Sequence, residues 1–306
     1  MSMNLNGFEA LEDRVLLAGN VTVAFNAAGD IVVSGDNAAN QIEFQDLDAD
    51  GSYTIVGLNG TTVTASAAVI NAGIFDADDA DNTVLGAGVA AGDTLIVNLG
   101  KGNDELYVID SGVAGDLAAG VNFKVNMGAG NDFVGVYGAG AIIVDNVNID
   151  LGAGDDELVL VTFDATKVSV SGAAGNDEIT LVDFTADEAH VSGGAGSDLI
   201  SVENALIGEL RVDGGAGKDG IQLESLTVDH AKITLGGAKD GASINQSIFN
   251  LSFTLKGGAG ADNVEIGNSD FNGVNRLTGG GGKDFLDDLG GNFYSNDTKI
   301  KSFKIV

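Results

Sequence analysis

An acidic residue returns along this chain at a near-constant interval, each time closing a glycine-rich turn. The phrase is complete at Gly193-Gly194-Ala195-Gly196-Ser197-Asp198 and again at Gly214 to Asp219, Gly257 to Asp262 and Gly279 to Asp284. Degraded copies end at Asp104, Asp132, Asp156, Asp177 and Asp240. The intervals between the nine aspartates are 28, 24, 21, 21, 21, 21, 22 and 22 residues. A period this steady marks a repeat architecture, in which one supersecondary unit stacks on the next.

The unit from residue 172 to 192 shows what stacks. Gly172 to Asp177 is a turn, and Glu178 to Asp183 alternates as a strand with Ile179 and Leu181 inward. Phe184 to Glu188 reads as a second bend, and Ala189 to Ser192 leads back to the next turn. The returning strand recurs as Val168/Val170, Leu210/Val212, Ile233/Leu235 and Leu251/Phe253/Leu255. One coil is therefore strand, bend, strand, turn, with alternate side chains inside. The expected fold is all-β: a single right-handed parallel β-solenoid of about 21–22 residues per coil, since such crossovers are almost always right-handed. Backbone pairing lies between coils, so no repeat is stable alone.

This divides the chain into four parts. Residues 1–19 form an N-terminal cap, 20–98 an irregular β region of coils and hairpins, 99–290 the solenoid, and 291–306 a capping strand that carries Lys299, Lys301 and Lys304. Over residues 6 to 18, Phe8, Leu11, Val15 and Leu16 recur with helical spacing, which predicts a short amphipathic helix. Val21, Val23 and Phe25 alternate before the turn Asn26 to Asp30, and Asn59-Gly60 signals a hairpin between Tyr53–Val56 and Thr61–Thr64. Gly35 to Asn40 followed by Gln41-Ile42-Glu43-Phe44 reads as a worn copy of the repeat.

Composition excludes several classes. With 14 basic against 45 acidic residues, a net charge of −31, nucleic acid is not an expected partner. The chain has no cysteine, so stability must come from stacking or from oxygen-bound metal. It has no apolar run long enough for a membrane helix and no pattern of a cleaved leader, so membrane insertion is not expected. Proline is absent, in keeping with long paired strands.

The hexad followed by x-apolar-x resembles the haemolysin-type, or RTX, calcium-binding repeat. In that family, stacked turns bind Ca2+ between coils. Glycine with positive φ turns carbonyls inward, and aspartate adds a hard anionic oxygen. The resemblance implies a calcium edge built from Asp104, Asp132, Asp156, Asp177, Asp198, Asp219, Asp240, Asp262 and Asp284, with the turn glycines Gly194, Gly196, Gly215, Gly217, Gly258 and Gly260. This chain departs from the family in having one hexad per coil, so at most one edge carries ions. Leu99, Met127, Leu151 and Leu235 replace the first glycine, Ala173 and Ala238 replace others, and Lys218, Lys239 and Lys283 precede the aspartate. The other reading of the aspartates is that each bonds the N–H groups of its own turn.

A second Ca2+ candidate is Asp46-Leu47-Asp48-Ala49-Asp50-Gly51, whose spacing gathers three carboxylates round a sharp turn; a plain acidic turn fits it as well. Leu11-Glu12-Asp13-Arg14-Val15-Leu16-Leu17-Ala18 resembles the LEPR-XLL motif of large bacterial surface proteins, with Asp13 in place of proline. That resemblance implies an extracellular, cell-surface location. The expected function is structural: a calcium-binding surface solenoid that self-associates head-to-tail into fibres, its basic last strand meeting an acidic region of the next copy. Those lysines read equally as edge protection. The alternative is a polysaccharide-binding or polysaccharide-degrading β-helix using Arg211 and Lys232, with a cell-surface polysaccharide as partner. The two histidines, His190 and His230, sit at similar points of their coils, and no catalytic constellation is expected.

Overall fold

A computed structural model describes residues 19–45, 53–71, 82–85, 93–109 and 121–306. The helix expected over residues 6 to 18 and the Asp46, Asp48 and Asp50 loop lie outside the described residues. Strands dominate the rest, and most of them pair in parallel with the strand one repeat away, as a β-solenoid requires.

Two stacks position the hexads. The strand after the hexad stacks from Gln41–Gln45 through Glu105–Ile109, Phe133–Asp150, Glu157–Ala174, Glu178–Ala195 and Leu199–Ala216. It continues through Gly220–Glu224, Gly241–Asn245, Asn263–Gly267, Asp284–Gly290 and Phe303–Ile305. The strand before the hexad stacks likewise, from Ile31–Ser34 on Thr94–Lys101 down to Lys299–Lys301. Each inward position therefore lies over its equivalent. Ile42, Leu106, Val134, Leu158, Ile179 and Ile200 form one fully buried column. Branched aliphatic side chains suit it because the interior repeats every coil, about 4.8 Å apart, and leaves each the same shape of space.

The worn copy at Gly35 to Asn40 is a true coil. Its flanking strands stack in register on Thr94–Lys101 and Glu105–Ile109. The chain leaves the stack after Gln45 and rejoins it at Thr94. In between, Tyr53–Gly57 pairs antiparallel with Gln41–Gln45, and Asn82–Leu85 pairs antiparallel with Tyr53–Gly57. Ala67–Asn71 forms a short helix.

The hairpin at Asn20–Phe25 and Ile31–Ser34 forms as expected. Asn26 Oδ1 accepts from the N–H of Ala28 and Asp30, at 2.8 and 3.0 Å. The Asn59-Gly60 turn also forms, with φ of 50° and 89°. Its strands do not pair with each other as the sequence suggested: Thr62–Ala65 lies parallel on Asn20–Phe25 instead. A turn signal fixes local backbone, not the partner each strand then finds.

The second corner sits one residue earlier than the expected bend. Thr162, Asp183, Asn204, Ser225, Gln246 and Asn268 adopt φ between 51° and 58°, one per coil. Asn and Asp enter this left-handed region more readily than other L-residues. Just beyond, Phe163 and Phe184 stack with centroids 4.7 Å apart. Towards the C-terminus that column turns polar. The N–H of Leu226 donates to Ser247 Oγ, that of Ser247 to Ser269 Oγ, and that of Ser269 to Asn292 Oδ1, at 2.8–3.2 Å.

Two expectations near the C-terminus are corrected. Leu251 is 54 % exposed rather than inward. The register with the previous coil slips between Val228 and His230, so this coil carries one extra residue there and Phe253 and Leu255 take the inward places. The tail is two short strands, Lys299–Lys301 and Phe303–Ile305, bent at Ser302 with φ 61°.

Candidate functional site

The hexad is a turn that must nest on its neighbour. Gly194 and Gly196 have φ of 111° and 143°, and the pattern repeats at Gly215/Gly217, Gly258/Gly260 and Gly280/Gly282. A Cβ on Gly196 would stand 1.7 Å from the carbonyl oxygen of Gly175 one coil earlier, and one on Gly217 would stand 1.6 Å from that of Gly196. The glycines at the second and fourth positions of the hexad are thus demanded twice, by backbone conformation and by close stacking. Ala173 and Ala238 keep the same conformation, with φ of 71° and 91°.

All nine aspartates are buried, none more than 4 % exposed. They form one ladder. The N–H of each donates to Oδ1 of the aspartate one coil later: Asp104 to Asp132, Asp132 to Asp156, and so on to Asp262 and Asp284, at 2.7–3.1 Å. Asn40, in the worn copy, is the first rung, its N–H donating to Asp104 Oδ1 at 2.6 Å. The expectation that each aspartate bonds its own turn is corrected: the acceptor serves the neighbouring coil, so the side chain is a staple between repeats.

The other carboxylate oxygen has no such partner. Oδ2 is buried without a hydrogen bond in all nine aspartates. It lies against the first glycine of its own hexad: a Cβ on Gly172 would be 2.4 Å from Asp177 Oδ2, and one on Gly193 2.5 Å from Asp198 Oδ2. Where that glycine is Leu99, Met127, Leu151 or Leu235, the side chain is fully buried and joins the core. Along the rungs from Asp104 to Asp262, burial outweighs the hydrogen bonds the carboxylate accepts and drives the carboxyl up. Asp156 reaches about 7, and Asp104, Asp177 and Asp240 about 6. Asp132, Asp198, Asp219 and Asp262 rise for the same reason. For Asp156, Asp177 and Asp240 the charge of neighbouring rungs adds to it.

An orphaned, buried, negatively charged oxygen calls for a proton or a cation. The donor set fits a hard cation in kind, since every rung offers a free carboxylate oxygen on a turn rich in carbonyls. It does not offer a carboxylate cage: among the described residues no three acidic, His or Cys side chains converge. A full shell of six to eight oxygens therefore has to draw on the turn carbonyls. Lys218, Lys239 and Lys283 are exposed, off the buried ladder. Earlier coils carry a second, exposed ladder at that position. There Asn131 N–H donates to Asn103 Oδ1, Asp155 N–H to Asn131 Oδ1, and Asn176 N–H to Asp155 Oδ1.

His190 and His230 do not occupy equivalent places. His190 aligns with Arg211 and Lys232, and His230 with Glu209, in adjacent outward columns of the strand before the hexad. The sequence reading also missed Asn40 as a rung and Ser247, Ser269 and Asn292 as a second ladder. The signal for each was a polar residue at a register position that is otherwise apolar or acidic.

No family model, curated protein or solved structure matches the chain. Fold and site together define its class: a parallel β-solenoid held along one edge by a buried aspartate ladder.

Proposed function

We propose that the chain is an extracellular structural protein, a calcium-binding β-solenoid of the bacterial cell surface. One observation carries the reading: nine stacked carboxylates, each with a buried Oδ2 that lacks a partner. The side chains hold their oxygens in a fixed column, and the turn glycines bring backbone carbonyls close to it. Ca2+ there would supply charge neutralisation between adjacent rungs and relieve the self-repulsion of a −31 chain. The resemblance of the hexads to the haemolysin-type repeat supports the same ion. The LEPR-XLL-like segment supports the location.

The last coil supports assembly into fibres. Phe293–Tyr294, Lys299–Lys301 and Phe303–Ile305 each pair with one strand only, and Leu289, Phe293, Ile305 and Val306 are more than half exposed around them. Addition of a second copy head-to-tail would pair those edges, and a heterologous contact of this kind propagates.

Thermal unfolding in EDTA and in millimolar calcium tests the ion. A ligand that binds only the folded state at a hundred times its Kd adds about 2.7 kcal/mol per site, so several sites give a large rise in Tm. An unchanged Tm removes the calcium reading and leaves the solenoid. Electron microscopy of the same samples tests the fibre: isolated rods at every calcium concentration refute it.

A further inference from the structure

We propose that the outer face of the strand before each hexad binds a linear acidic glycan, one with a carboxylate on every sugar residue. Parallel register aligns its outward side chains into columns. The central column runs His190, Arg211, Lys232, Thr254, Arg276 and Lys299. Beside it lie Thr234, Lys256, Thr278 and Lys301, and on its other side Glu209, His230, Ser252 and Val274.

Within the paired strands from Lys232 to Lys301 these columns hold no acidic residue, the exposed Asp297 lying in the turn just before Lys299, in a chain where acids outnumber bases 45 to 14. Each of the four coils instead presents an exposed cation: Lys232, then Lys256, then Arg276, then Lys299 with Lys301. Coils are about 4.8 Å apart, close to the length of one pyranose residue in a linear chain. A glycan laid along the solenoid axis therefore meets one cation per sugar. Thr234, Ser252, Thr254 and Thr278 place hydroxyls between the charges for the sugar hydroxyls.

The N-terminal end of the stripe adds a shaped feature. Ser169, His190, Ser192, Arg211 and Lys232 line a shallow depression of ≈ 390 Å³ together with one acid, Asp213, and Arg211 is paired there with Glu209. In it His190 Nε2 is buried and has no hydrogen-bond partner. These columns carry no aromatic side chain, so recognition is ionic and hydrogen-bonded rather than by stacking, and salt must weaken it.

A second copy of the chain is a poorer match. On the strand after the hexad its acids align only in pairs, Glu157 with Glu178, Glu203 with Glu224 and Glu265 with Asp287. None gives a run of four coils.

The inference stands on this lateral face and is independent of the calcium reading, so the test is run on the full chain in EDTA. Calorimetric titration with polygalacturonate oligosaccharides is compared with dextran of the same length. We expect binding of the former only, and its loss at high salt. The double variant Arg276→Glu/Lys299→Glu should weaken binding by about tenfold or more. Lys218→Glu/Lys239→Glu, with the same charge change on the hexad edge, should leave it intact. Circular dichroism and Tm confirm that both variants stay folded. Absence of binding, equal binding of dextran, or equal loss in both variants overturns the proposal. So does a result in which the face variants alter only the sedimentation of the protein by itself, which would make the face a self-contact.

Discussion

The N–H of Asp177 donates a 2.9 Å hydrogen bond to Oδ1 of Asp198, which fills the same place one coil later. The carbonyl of Asp177 accepts from the N–H of Leu199 in that same coil, at 2.8 Å. One residue thus binds the next coil through both its backbone groups, and the register of every turn follows. The same geometry strands Oδ2 of each rung in a buried place, so alignment of the coils is coupled to the fate of a row of charges.

Substitutions at one rung separate those two roles. Asp198→Ala removes the acceptor for the Asp177 N–H and should cost about 1–3 kcal/mol in EDTA, and more in calcium, where the ion loses a ligand as well. Asp198→Asn keeps Oδ1 and removes the charge. Asn40 shows how an amide is accommodated, with Nδ2 donating to the Ala38 carbonyl at 2.8 Å. In EDTA at neutral pH the Asn variant should therefore match or exceed the parent in Tm, and it should gain less from calcium. Melting curves of the three proteins, with and without the ion, decide this. An Asn variant that loses as much as the Ala variant in EDTA would show that the charge itself holds the turn.

The ladder also fixes the sign of the pH dependence. Asp104, Asp156, Asp177 and Asp240 stand at about 6 to 7 in the fold, against 3.8 as the ordinary value. Groups raised in this way bind protons more tightly when folded. Their contribution is complete below about pH 4 and is lost as pH rises through about 6 to 7. In EDTA, Tm should therefore climb as pH falls from about 8 to 5. Calcium should raise Tm most at the alkaline end, where no proton competes for Oδ2. A Tm in EDTA that drops steadily over this interval would contradict the buried, unpartnered carboxyls.

The coil was legible in the sequence because its period is set by turns that tolerate few residues. A Cβ at Gly196 or Gly217 has nowhere to go, so the glycines had to recur, and with them the aspartate. Even the worn copy at Gly35 to Asn40 could be seen. What the sequence left hidden depends on relations across coils. Which N–H meets Asp198 Oδ1, the slip that expels Leu251, and the separate partners of the strands around Asn59-Gly60 are all set by pairing between distant residues. The basic stripe was hidden for the same reason. Lys232, Arg276 and Lys299 are far apart along the chain and share a face only once the register is known.

The nesting of the turns predicts opposite outcomes for two small changes. Gly196→Ala puts a methyl group 1.7 Å from the Gly175 carbonyl oxygen at a φ of 143°, and should cost about 3 kcal/mol or more as the coils are pushed apart. Ala238→Gly relaxes an L-residue held at φ 91°, and should stabilise by about 1 kcal/mol. Denaturant midpoints of the two variants against the parent measure both. A neutral Ala238→Gly would mean that the strain is offset elsewhere in that turn.

Ser269 offers a control that the aspartate edge cannot. Its Oγ accepts from the Ser247 N–H at 3.2 Å and donates to the Gly267 carbonyl at 2.9 Å. The rung is stapled to its neighbour in the manner of Asp198, yet it is neutral and its hydroxyl is satisfied on both sides. Ser269→Ala leaves the Ser247 N–H buried without its acceptor, so it should cost about 1–3 kcal/mol. Because no charge is involved, that loss should be the same in EDTA, in calcium, and at either end of the pH range. If the Asp198 variants respond to calcium and pH while Ser269→Ala does not, the response belongs to the carboxylates and not to ladders in general. If Ser269→Ala responds equally, the ion acts on the solenoid as a whole, and Oδ2 is not its site.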